Sequence, residues 1–113
     1  MEDLTYIEIE ELKENLNKEV GDLSFIGERL KEIREELKSK GDQTCKTENI
    51  NKIIFGTDTD RMNLLRIENG KYGNYKNIYK LIFFFYIKGI NPEWILIKEN
   101  SKIKKYSKKK SKN

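Results

Sequence analysis

Arg61 and Arg66 share a short segment with Leu64 and Ile67, and this combination of types is the chain's best candidate for chemistry. Leu64 and Ile67 fall on one face of a helix with Leu65 beside them, while Arg61, Met62 and Arg66 fall elsewhere on the wheel. Asp60 stands at the N-cap position, where a carboxylate accepts the free N–H groups of the first turn. Gly70 can take the left-handed conformation that closes a helix, and Lys71 follows it. A short helix with an apolar back and a cationic front has the size and charge to enter the major groove of DNA.

Other chemistries find little support. The chain has no histidine, and its one cysteine, Cys45, reads as a free thiol. The usual bases, nucleophile dyads and metal ligands are therefore missing, so an enzyme is not expected, nor a metal or other cofactor. Carboxylates are plentiful but fall on solvated helical faces and suggest no paired acid–base site.

The elements that would position this segment read as helical almost throughout. Residues 6–20 carry Ile9, Leu12, Leu16 and Val20 at helical spacing, and Gly21-Asp22 breaks the run. Ser24 can cap a second helix over about 25–40, where Ile26, Leu30, Ile33 and Leu37 form the stripe; Gly41-Asp42 ends it. Ile50, Ile53 and Ile54 suggest a helix within 44–55, and Gly56-Thr57-Asp58-Thr59 is a turn by composition. Residues 75–88 form the most apolar helix, ended by Gly89, with Ile78, Leu81, Ile82, Phe84 and Phe85 as core. Phe83, Phe84, Phe85 and Tyr86 span most of a helix circumference, so one or two of them should stay exposed unless a partner covers them. Asn91-Pro92-Glu93-Trp94 opens a last short helix through Leu96, with Trp94 anchoring it in the core rather than stacking on a base. No period-two alternation indicates strands.

With 113 residues, one domain is the expectation. Charged residues make up 37% and the hydrophobic class 36%, enough for a small core. No apolar run approaches the roughly 20 residues that span a bilayer, the N-terminus is acidic, and a lone cysteine fits a reducing setting, so a cytoplasmic protein without membrane contact is expected. The net charge of +4 is unevenly spread: acids outnumber Lys13 and Lys18 over residues 1–22, and residues 102–112 carry lysines and no acid. The chain divides into an acidic amphipathic arm (1–23), a helical domain (24–99) and a basic tail (100–113) expected to be disordered.

Three segments resemble the phage repressor and Cro (XRE) family of helix-turn-helix domains. Ile26-Gly27-Glu28-Arg29-Leu30-Lys31-Glu32-Ile33-Arg34-Glu35-Glu36-Leu37 looks like the family's first helix. Arg66-Ile67-Glu68-Asn69-Gly70-Lys71 looks like the end of its recognition helix. Gly89-Ile90-Asn91-Pro92-Glu93-Trp94-Ile95-Leu96 is similar to the entry into its fifth helix. The resemblance implies an all-α, five-helix lambda-repressor-like domain, here with an extra N-terminal helix, that binds double-stranded DNA as a homodimer. The family's second helix is not matched residue by residue: the segment is longer, and Asn51 or Lys52 falls where the family carries an alanine.

By that resemblance Arg61, Met62 and Arg66 take positions that face the groove. Arginine can donate two parallel hydrogen bonds to guanine, Met62 can meet a thymine methyl, and Asn63 can read adenine or touch a phosphate. Lys71, Tyr72, Asn74 and Lys76 would lie along the sugar-phosphate backbone, with Gln43, Thr44 and Thr47 as candidates from the second helix. Arg34 and Glu68 would form an ion pair that orients the recognition helix without touching a base. The implied function is a sequence-specific transcriptional regulator, a repressor of bacterial or phage type. The alternatives are an antitoxin or restriction-modification controller that meets a protein partner through its N-terminal arm, and an interaction module that has lost DNA binding; Arg61 and Arg66 count against the last.

Overall fold

The computed structural model describes residues 5–56 and 62–107, so the expected Asp60 cap and Arg61 lie outside the described residues. Six α-helices run through the described residues without a strand: α1 (Tyr6–Val20), α2 (Ser24–Ser39), α3 (Thr47–Ile50), α4 (Met62–Glu68), α5 (Tyr75–Ile87) and α6 (Pro92–Leu96). A 3-10 turn (Gln43–Cys45) precedes α3, and a π-helical turn (Asn51–Phe55) extends it. The all-α class expected from the sequence is the class observed.

Local chemistry sets most boundaries. Thr5 and Glu8 form a reciprocal capping box that starts α1. Ser24 does not cap α2: it is already helical, and the Asp22 side chain accepts its N–H instead at 3.0 Å. The Asp42, Asn74 and Asn91 side chains accept the backbone N–H two residues on, opening the 3-10 turn, α5 and α6. Gly70, at φ 87°, lets the Lys71 N–H return to the Arg66 carbonyl at 2.7 Å and closes α4.

The core gathers one face from each of α2 to α6. Leu30, Ile33 and Leu37 of α2 meet Leu64 and Ile67 of α4, Leu81 and Phe85 of α5, and Ile90 and Ile95 around α6, with Cys45, Ile50 and Ile54 beneath. Each such side chain, fully buried, contributes about 1.5–3 kcal/mol. The α5 aromatics divide as the sequence requires: Phe85 is buried, Phe84 half-buried, and Phe83 and Tyr86 exposed. Trp94 packs against the core, with the Lys105 ammonium 4.8 Å from its ring. Arg29 of α2 locks the end of α6, donating to the carbonyls of Trp94, Ile95, Ile97 and Lys98 at 2.7–3.2 Å.

The tail departs from expectation over residues 100–107, which fold back rather than remaining disordered. The Asn91 N–H donates to the Lys105 carbonyl, and the Ser107 N–H to the Gly89 carbonyl, both at 2.7 Å. Lys105 reaches Glu36 at 2.8 Å and Glu32 at 2.9 Å, and the Tyr106 hydroxyl donates to Glu36 at 2.6 Å. Lysine content suggested a solvated tail, but α2 presents two acids to receive it. α1 behaves in the opposite way: none of its residues is buried.

Candidate nucleic-acid interface

α4 is fixed against α2 on three of its residues. Leu64 and Ile67 enter the core, and Glu68, 4% exposed, meets Arg34, 6% exposed. The Arg34 Nε–H donates to one Glu68 carboxylate oxygen at 2.6 Å and an Nη–H to the other at 3.1 Å, a bidentate pair. Burial alone would lower the Arg34 pKa, but the Glu68 hydrogen bonds outweigh it and hold the guanidinium above its ordinary value. Gly27 permits the approach of the two helices, since a Cβ there would stand 2.2 Å from the Ile67 carbonyl oxygen. A glycine inside a helical stripe was the available sequence signal for this contact.

With that back face held, α4 turns Met62, Leu65 and Arg66 outward, with Asn63 half-buried at the edge. Leu65 is the residue that sequence reasoning misplaced. By sequence it stands beside Leu64 and Ile67, yet helical geometry puts it next to Met62 and Arg66, and it is exposed. A shallow cleft of about 170 Å³ opens beside Arg66. Asn63, Arg66, Lys71, Tyr72, Asn74 and Asn77 contribute to its lining, so it brings together residues read as base-contacting and residues read as phosphate-contacting.

Two phosphate candidates, Tyr72 and Thr44, have their hydroxyls committed inside the protein. The Tyr72 hydroxyl donates to the Leu23 carbonyl and accepts the Gly27 N–H at 3.0 Å. Its proton is thus committed to the start of α2, and burial raises its pKa. The Thr44 hydroxyl donates to Asp42 at 2.6 Å, which removes it in the same way. The Asn74 side-chain oxygen accepts the Lys76 N–H at 2.8 Å, leaving only its amide N–H groups to face a ligand. Lys71 and Lys76 are exposed, Lys76 on the outer side of α5 rather than in the cleft. Thr47 is half-buried at the first position of α3, Gln43 is exposed, and neither lines the cleft.

The chemistry this surface offers is that of an open, cationic and amide-rich face, which can donate to anionic or carbonyl oxygens. Among the described residues no group of histidine, cysteine, aspartate or glutamate could hold a metal ion. Among them also, no helix is long and apolar enough to cross a membrane. Comparison of the chain with protein-family models, with curated proteins and with solved structures gives no match.

Proposed function

We propose that the chain is a sequence-specific DNA-binding regulator of bacterial or phage type, acting in the cytoplasm and repressing by occupying promoter DNA. The observation that carries this reading is the two-sided fixing of α4: Leu64, Ile67 and the Glu68 carboxylate are held from behind, so Arg66, Met62 and Asn63 form an outward face. A helix inserted in the major groove needs such a rigid back and a donor-rich front. Arg66 would donate to guanine, Asn63 to adenine or a phosphate, and Met62 and the newly placed Leu65 would meet thymine methyls. Lys71, with the Asn74 amide, would fix register on the phosphate backbone. Arg61 belongs to the same reading as a second base contact. Two protomers would reach half-sites about 34 Å apart, one turn of the duplex.

Selection of bound sequences from a random duplex pool tests this reading. The wild-type protein should enrich a palindrome, and the Arg61→Ala/Arg66→Ala protein should not. Equal enrichment by both would show that another element reads the bases, and no enrichment by the wild type would remove the function.

A further inference from the structure

Two apolar surfaces of the described chain are left uncovered, and they match each other. α1 carries Tyr6, Ile9, Leu12, Leu16 and Val20 along one side, all exposed, with Tyr6 at 75%. An isolated helix of 15 residues is marginal in water and needs a packed apolar face to hold it. α5 carries Tyr75, Tyr79, Phe83, Tyr86 and Ile87 outward, with Tyr79 at 66%. The Tyr79 and Phe83 rings stack at 6.1 Å and the Phe83 and Tyr86 rings at 5.9 Å, giving a preformed aromatic row. Beside the row, Ile53 of the π-helical turn closes an apolar groove of about 240 Å³ with Phe83 and Ile87.

Charge selects the pairing. α1 is acidic: Glu8, Glu10, Glu11, Glu14 and Glu19 stand against Lys13 and Lys18, and Glu10 and Glu19 border the apolar stripe on its two sides, with Lys13 the one cation inside it. α5 contains no acid, and Lys76 and Lys80 border its aromatic row. Two copies of α1 would repel each other, as would two copies of α5, whereas α1 against α5 brings opposite charges together. The helices also match in length, at about 20 Å each from a rise of ~1.5 Å per residue. Within its own chain α1 buries none of its residues.

We propose that α1 of one copy packs on the aromatic row of α5 of a second copy, and that the exchange is reciprocal. A twofold arrangement places the same two patches on both protomers and closes without leaving either surface open. This inference concerns the free protein and stands whether or not the DNA-binding reading holds.

Sedimentation velocity without DNA tests it through mixing. Leu12→Glu/Leu16→Glu removes the α1 stripe and Tyr79→Glu interrupts the α5 row; both lie on exposed faces, and circular dichroism checks that helicity is kept. If Tyr79→Glu loses helicity, Tyr79→Ser replaces it. The wild type should sediment as a dimer and each variant alone as a monomer. An equimolar mixture of the two variants should regain a dimer, because one intact α1 then meets one intact α5 row. A monomeric wild type, a variant that stays dimeric alone, or a mixture that stays monomeric would each overturn the proposal. The second result would point instead to α1–α1 or α5–α5 contact.

Discussion

A buried amide without a hydrogen-bond partner raises the free energy of the folded state, and Asn51 is such a group. It is 0% exposed, and both its side-chain nitrogen and oxygen lack a partner. It sits at the start of the π-helical turn. Asn51→Leu, of similar shape, should recover part of the about 1–3 kcal/mol that an unsatisfied polar group costs, read as a higher urea midpoint with the slope unchanged. The Arg34–Glu68 pair predicts the reverse. Glu68→Ala should lower stability by about 3–5 kcal/mol in urea, because it strands a buried guanidinium. Replacing both partners by apolar residues should cost much less. Cys45 supplies a third residue-scale outcome: burial pushes its thiol up to about 11, so the native protein should resist a thiol reagent at neutral pH and react once unfolded in guanidinium. The sequence showed Arg34 and Glu68 as a pair through resemblance alone, since residues 34 apart carry no local signal of contact. It could not show that Tyr72 and Thr44 spend their hydroxyls inside the protein, because that depends on where α2 and Asp42 come to rest.

Among the elements, helices with strong periodicity and clear caps were legible and the segments held by distant partners were not. α1, α5 and α6 begin where capping chemistry begins them, and Gly70 and Gly89 end helices as their freedom at positive φ allows. The stretch from Gln43 to Phe55 resisted reading because β-branched Ile50, Ile53 and Ile54 lower helix propensity, and it resolves into three helical types in succession. Residues 100–107 were misread because composition suggested solvation, whereas Ile90 and Glu36, remote in sequence, receive Tyr106 and Lys105. That strap carries its own pH dependence. Hydrogen bonds from Lys105, then Tyr106, lower the Glu36 pKa from its ordinary 4.5 to about 2. A lowered carboxylate pKa contributes stability above the unfolded value and loses it as pH falls through the folded one. The strap should therefore weaken as pH falls from 4.5 toward about 2, followed by hydrogen exchange at Asn91 and Ser107. Glu36→Gln should show faster exchange there at neutral pH and little further change in acid.

At the scale of the whole molecule, charge is divided by function as well as by position. The acids of α2 hold the strap, α1 keeps its acids on an uncovered helix, and the cleft beside α4 is lined by cations and amides. Lys105 is thus committed to α2 rather than to a phosphate backbone. Lys108, Lys109, Lys110 and Lys112 lie outside the described residues, and under the proposed DNA-binding reading they would add non-specific attraction to the phosphate backbone. A chain ending at Ser107 should show a shallower salt dependence of DNA affinity, by about 0.9 in the log–log slope for each phosphate that the tail lysines neutralise. The central claim, that the outward face of α4 reads base edges, is tested most directly by fluorescence anisotropy with the enriched duplex and a scrambled duplex, for the wild type and Arg66→Ala. Removing one bidentate pairing with guanine predicts weakening of roughly 5- to 150-fold on the enriched duplex and little change on the scrambled one. Equal weakening on both duplexes, or none on either, would contradict it.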